Sequence, residues 1–361
     1  MRRTPALASI LGLGLSFGLA GQEKRDPGDA VRRSKEFPEP DYVLGDTDLK
    51  PRGAQKGKVV LGSDGTGGTT FAVYGSPGLQ VSSLSFSGDG KLLAVGSAPG
   101  RVDLWDVDTR KKLRTIIGGS AVALSADGRL LVKDGKDGGG IELYEVATGT
   151  LRTIPRILKR AENTVTKFTL SPDGNLLAVT ANGDDDMVYD VPLGKLLTTL
   201  ANTKFAQFSN DGSLLIGGNN RHLIAWSTKD WSEVRDLPRG PDYVRQIAVS
   251  PERDLVIVGG PKVAVLQRLS SGEEIARLGE GFTNFLSFNA SGTLVFTYSG
   301  TSGFVVWDTS GRPYCASQRM GSTLALSADG RWLADASPTT AGAVRLWNIP
   351  GALRVCGAPE K

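Results

Sequence analysis

The chain has 361 residues, 47 of them glycine, which suits one large β-rich domain with many tight turns. Its formal charge is +4, of which Arg2 and Arg3 carry two, leaving +2 beyond residue 20. So small a surplus excludes an argument for nucleic-acid binding, and a single His excludes the several-ligand His/Cys set of a zinc site.

At the start, Met1-Arg2-Arg3 is a short positive segment followed by the uncharged run ALASILGLGLSFGLA, Ala6 to Ala20. Gly18 and Ala20 are small residues at the −3 and −1 positions, so residues 1–20 are expected to be a signal peptide cleaved before Gly21. The run is shorter than the roughly 20 apolar residues a membrane span needs, so no span is expected after cleavage. The Arg pair lacks the residues that follow it in twin-arginine leaders, so general secretion into the periplasm or the extracellular space is favoured. Residues 21–56 are charged and rich in Pro, Gly and Asp (KRDPGDAVRRSKEFPEPD) and read as a flexible linker. Val59-Val60-Leu61 and Thr70 to Tyr74 read as strands, one of which is expected to complete the last repeat and so join the two ends of the domain.

A unit of about forty residues then recurs. Its core is an apolar strand, a Ser, an Asp-Gly turn and a second apolar strand. It appears as LSFSGDGKLLAVGS (Leu84–Ser97), VALSADGRLLV (Val122–Val132), FTLSPDGNLLAVT (Phe168–Thr180), AQFSNDGSLLIGG (Ala206–Gly218), IAVSPERDLVIVGG (Ile247–Gly260), LSFNASGTLVFTYS (Leu286–Ser299) and LALSADGRWLADAS (Leu324–Ser337). A third strand ending in an aromatic follows most copies, as in VDLWDV (Val102–Val107), IELYEV (Ile141–Val146) and FVVWDT (Phe304–Thr309). A fourth short strand comes after it, as in KLRTI (Lys112–Ile116) and EVRDL (Glu233–Leu237).

Asp-Gly between two apolar runs is a hairpin signal, because such turns need a residue at positive φ. The second strands are apolar without alternation (LLAV, LLIG), as expected when both faces of a sheet are covered. Four short strands cannot cover their own faces. Stacking equal units around an axis covers them all. The expected fold is all-β: a single seven-bladed β-propeller with four-stranded antiparallel blades, filling residues 57–361. Its repeats are expected at about 81–116, 119–154, 165–200, 203–237, 243–278, 282–315 and 322–356.

The pairs Trp105-Asp106 and Trp307-Asp308, with the variants Tyr189-Asp190, Trp347-Asn348 and Trp226-Ser227, resemble WD40-repeat proteins over about residues 76 to 356. The chain departs from that family in its only His, His222, which is not in the Gly-His pair that opens such repeats. The Asp-His-Ser-Trp network of that family therefore cannot form. A lactonase-like or quinoprotein-like propeller stays open beside a divergent WD40-like one.

No catalytic constellation, cofactor motif or metal-ligand set stands out. The recurring Asp89, Asp127, Asp173, Asp211 and Asp329 are read as turn formers, Asp184-Asp185-Asp186 as a solvated acidic loop, and most Trp residues as packing between blades, with Trp231 outside the register. Cys315 and Cys356 fall at nearly equivalent places on the outer strands of consecutive repeats, which diverge, so a bridge between them is left open. The basic residues Arg156, Lys159, Arg160, Arg221, Arg239 and Arg245 fall in loops or strand ends of one face and are the candidate partner-binding surface. The leading expectation is an exported protein-interaction or scaffolding module. The alternative is a propeller hydrolase or lactonase with a site at the mouth of the central channel.

Overall fold

The computed structural model describes residues 35–36, 42–44, 79–135, 140–155, 165–181, 185–201, 203–218, 222–238, 244–337 and 342–358. The expected signal peptide and the candidate closing strands at 59–61 and 70–74 lie outside these residues.

Seven antiparallel sheets radiate from one axis. The first blade holds β3 (Gln80–Phe86), β4 (Leu92–Ala98), β5 (Arg101–Asp106) and β6 (Lys111–Ile117), innermost to outermost. The later blades repeat this order. Their inner strands are β7 (Val122–Leu124), β11 (Val165–Leu170), β15 (Lys204–Phe208), β19 (Gln246–Val249), β23 (Thr283–Phe288) and β27 (Leu324–Leu326).

The turn between the first two strands shows how the repeated sequence folds locally. In the first blade Ser87 Oγ donates to Asp89 Oδ1 at 2.7 Å and accepts the Leu92 amide at 3.0 Å. The Gly90 amide donates to the Ser87 carbonyl at 3.0 Å, and only the glycine takes positive φ, at 68°. The turn is therefore type I with a left-handed glycine after it, one of the two hairpin solutions that fit the twist of β-strands. The same bonds recur at Ser125–Asp127 (2.6 Å), Ser171–Asp173 (2.5 Å), Ser209–Asp211 (2.6 Å) and Ser327–Asp329 (2.6 Å). In the sixth blade Asn289 replaces the serine, and its Oδ1 accepts the amides of Thr293 and Leu294, both at 2.8 Å. The fifth blade lacks the Asp-Gly pair, and Ser250 Oγ there is buried with no hydrogen-bond partner among the described residues.

The core is divided among the interfaces between blades. Each of seven apolar clusters takes residues from two neighbouring sheets; Leu104 and Leu131, for example, meet between the first and second blades. Val81, Leu93 and Trp105 of the first blade pack on Val344 and Leu346 of the seventh, which closes the ring. Trp105, Trp226, Trp307 and Trp347, all on third strands, are buried in these seams, and Trp231 is half-buried against one of them.

Closure departs from expectation. The seventh blade has β27, β28 (Trp332–Ala336) and β29 (Val344–Asn348) from the C-terminal end. Its fourth strand is β2 (Tyr42–Leu44), antiparallel to β29 with Val43 opposite Arg345. A second short strand, β1 (Lys35–Glu36), pairs in parallel with the outer strand of the sixth blade, β26 (Pro313–Ser317), and makes that sheet five-stranded. The stretch read as a pure linker, residues 21–56, thus supplies two strands. Tyr42-Val43-Leu44 is a short apolar β-prone run that finds an unpaired outer edge, and the charged composition around it hid the signal.

The last repeat also ends differently from its siblings, in a helix, α1 (Ile349–Cys356), instead of a fourth strand. Asn348 Oδ1 caps it by accepting the Gly351 amide at 2.9 Å, and Gly357 ends it at φ 72°. Ile349, Ala352, Leu353 and Cys356 face the seam between the sixth and seventh blades. The helix brings Cys356 to Cys315, and the two are disulfide-bonded with Cα atoms 5.6 Å apart. The bridge left open by the sequence forms because Cys356 is on this helix and not on a diverging outer strand. Among the described residues no helix is long and apolar enough to cross a membrane.

Candidate functional site

Inner strands start at the inter-blade connections and end at the Ser-Asp-Gly turns, so the channel between them has a loop end and a turn end. It encloses about 660 Å³. Among the described residues no Asp or Glu lines it, and Lys167 is the only charged lining residue.

The lining is layered by the repeat. Four positions before each turn serine or asparagine the inner strands carry Ser83, Lys167, Phe205, Gln246, Phe285 and Thr323, all half-buried and all lining the channel. They share one level, because Ser83, Lys167, Gln246 and Phe285 stand opposite Gly96, Thr180, Gly259 and Tyr298, which are equivalent positions of the second strands. In the second blade the position is Ala121, which is buried. The level sits on bulges: the register shifts between Val81 and Ser83, Val165 and Lys167, Lys204 and Gln207, and Thr283 and Phe285. A bulge re-aims the side chain that follows it and is enriched beside binding sites. At Phe205 the backbone is left-handed, φ 59°, which is costly for a bulky residue and recurs at ligand-contacting positions.

The residue one step nearer the mouth adds more positive charge. Lys204 Nζ donates to the Ala181 carbonyl at 3.3 Å. Arg245 lies with its guanidinium carbon 5.1 Å from the centroid of the Phe282 ring, which is itself 52% exposed. This Arg-on-aromatic stack presents a flat, cationic and apolar surface to solvent.

Behind this level is Asp186, the first residue of β13 (Asp186–Asp190), fully buried at 0% exposure. The expectation of a solvated acidic loop fails for this residue, because the strand begins at it and draws the side chain inward. Asp186 Oδ2 accepts the Ala206 amide at 3.2 Å, while Oδ1 has no hydrogen-bond partner among the described residues. Burial pushes this carboxyl up to about 7, against the opposing pull of Thr180, the Ala206 amide, Lys204 and Lys167. Burial likewise lowers the Lys167 ammonium below the usual lysine range, with the field of Asp186 acting the other way. Asp134 and Asp335 hold two other inner strands at the same end. The first accepts the Ser120 and Ala121 amides at 2.7 and 2.8 Å, and the second accepts the Gly321 amide at 2.6 Å. In this chain carboxylates anchor the starts of three inner strands, those of Asp186 and Asp335 fully buried and that of Asp134 half-buried.

Of the sequence-stated surface residues, Arg156, Lys159, Arg160, Arg221 and Arg239 lie outside the described residues. Arg245 is at the channel mouth. His222 begins β17 (His222–Ser227) on the blade surface, its Nδ1 2.6 Å from Asp236 Oδ1. Among the described residues no three His, Cys, Asp or Glu side chains are grouped as metal ligands would be.

The family model for the WD40 domain of anaphase-promoting complex subunit 4 matches residues 69–123. That stretch contains the first blade and its Trp105-Asp106 pair, and seven sheets of the same plan follow from there around one axis. The protein is a seven-bladed β-propeller whose first blade is similar to a WD40 domain. In this ring the Trp-Asp aspartates secure the turn after the third strand. Asp106 Oδ1 accepts the Thr109 amide at 2.7 Å, and Asp308 Oδ1 accepts the Ser310 and Arg312 amides at 2.8 and 2.9 Å. Reasoning from sequence missed Lys167, Phe205, Gln246 and Phe285. Their signal was a position within the repeat, four before the turn residue, where the other copies carry small or hydroxyl side chains.

Proposed function

We propose that the chain is exported and acts outside the cytoplasm as a protein-interaction module, with its contact surface on the loop end of the ring. WD40-type propellers typically serve as protein-interaction modules. The observation that carries the reading is the Arg245–Phe282 stack at the mouth, a half-exposed aromatic under a guanidinium, which is the residue pairing that dominates protein interfaces. Arg156, Lys159, Arg160, Arg221 and Arg239 lie outside the described residues, and by their position in the repeated sequence they are proposed to extend this basic surface. Export is supported by the leader-like residues 1–20 and by the buried Cys315–Cys356 bridge, since disulfides persist in oxidising compartments.

The test is capture of partners from an extracytoplasmic extract by the native chain and by the Arg245→Glu, Phe282→Ser double variant. Loss of the captured proteins with an unchanged melting curve is the expected result. Equal capture by both would remove the loop end from the interaction. Fusing residues 1–20 to a reporter tests export separately, and a reporter that stays in the cytoplasm rejects it.

A further inference from the structure

We propose that the loop end of the central channel is a binding site for a carboxylate carried on a small apolar or aromatic body, held by Lys167 between Phe205 and Phe285. The charge pattern fixes the sign of the ligand. Lys167 is the one charged residue among the described lining residues and is in no ion pair among them, and the carboxyl whose field reaches it, Asp186, is buried behind the wall and driven toward its neutral form by that burial. Lys204 and Arg245 stand one step outward in sequence and add positive charge among the described residues of that end, and a narrow low-dielectric mouth concentrates the field of such charges.

The lining also fixes the ligand's size and body. The whole channel, of which this level is one part, measures about 660 Å³, within the range of small-ligand cavities, which are mostly apolar with a few convergent polar groups. Here Lys167 is the charged group, Gln246 and Thr323 are hydrogen-bonding side chains on the same level, and Phe205 and Phe285 are the apolar walls, while the Ser83 hydroxyl is engaged with the backbone of Val122. One ammonium with neutral donors matches a monoanion. A phosphate dianion is usually met by Arg forks or by several backbone amides, and this level has neither. The bulges before Lys167 and Phe285 and the left-handed Phe205 aim these three side chains, and the two rings also pack on the inter-blade seams behind them, which holds them in place.

The same carboxylate could be a free organic acid or the side chain of an inserted peptide, and titration calorimetry separates the two. The probes are phenylacetate, its neutral isostere phenylacetamide, and the capped tripeptide acetyl-Phe-Glu-Phe-amide, each titrated into the full chain. Phenylacetate should bind and phenylacetamide should not. Lys167→Met should weaken phenylacetate at least about tenfold, the loss expected for a charge-assisted hydrogen bond, without lowering the melting temperature. Phe205→Leu, which removes the aromatic wall but keeps an apolar side chain on the seam between the fourth and fifth blades, should also weaken it with little change in the melting curve. A tighter tripeptide than phenylacetate makes the site a receptor for an acidic protein segment, and the reverse makes it a receptor for a free acid. Absence of heat from all three probes at millimolar concentration overturns the proposal, as does equal affinity of native and Lys167→Met chains. These outcomes are independent of partner capture, so this proposal and the loop-end interaction reading can fail separately.

Discussion

Asp186 couples the channel wall to pH. Its folded pKa of about 7 lies above the ordinary value of 3.8. Between those values the folded protein holds a proton that the unfolded chain has released. The stability gained is complete below the unfolded pKa and is lost as pH rises through about 7. Asp186→Asn keeps the shape, retains an acceptor for the Ala206 amide, and removes the titration. It should flatten the dependence of the urea midpoint between acid and mildly alkaline conditions and stabilise the fold on the alkaline side, by up to about 4 kcal/mol. A midpoint that keeps its native pH slope in the variant would show that Asp186 does not titrate there. The turn serines give a second residue-scale expectation. Ser171 is buried, and its Oγ both donates to Asp173 and accepts the Leu176 amide at 2.9 Å. Ser171→Ala strands that amide and should cost about 1–3 kcal/mol in denaturant melts. This role was legible in part: the Ser-x-Asp-Gly spelling announced the turn, while the use of one hydroxyl as both donor and acceptor needed coordinates. Asp186 was not legible at all, because in a run of three aspartates nothing in the spelling says which one begins the strand.

At the scale of elements, two cross-strand ion pairs occupy the same register in different blades with their charges exchanged. Lys133 and Glu142 pair in the second blade, and Asp335 with Arg345 in the seventh, at 2.5 Å. Asp335 is fully buried and is additionally held by the Gly321 amide, so the pair fixes both the sheet and the start of an inner strand. Burial raises the Asp335 carboxyl while Arg345 opposes that rise. Arg345→Met leaves the carboxylate buried and alone, for which about 3–5 kcal/mol is expected, whereas the double change Asp335→Leu, Arg345→Met should recover most of it. Equilibrium unfolding of both variants checks this, and equal loss in the two would mean that packing of the Arg345 stem carries the effect. The strands themselves were readable from alternation and turn spelling. The closing strand was misplaced because Tyr42–Leu44 is too short to show a period, and only the unpaired edge of β29 selects it. Nested truncations follow from this: a chain starting at residue 45 should melt well below one starting at residue 35. Equal melting would detach β2 from the closure.

At the scale of the whole molecule, the ring is fastened at one seam by elements distant in sequence. β2 completes the seventh blade, β1 lies along the sixth, and the Cys315–Cys356 bridge ties α1 to the strand that β1 pairs with. The repeat made the number of blades and the circular plan plain. The manner of fastening was not written in it, since closure uses residues from both ends that do not obey the repeat. Because every core cluster straddles two blades, opening this seam exposes the two faces beside it and leaves the other six interfaces formed. The bridge spans 41 residues, for which chain-entropy arguments give a stabilisation of about 4 kcal/mol. Cys315→Ser with Cys356→Ser should therefore lower the melting temperature. Hydrogen exchange in the doubly substituted chain should quicken first in β27 to β29 and α1, while the amides of the third and fourth blades keep their protection. Uniform loss of protection around the ring would mean that the blades unfold as one cooperative unit and that the seam is no weaker than any other interface.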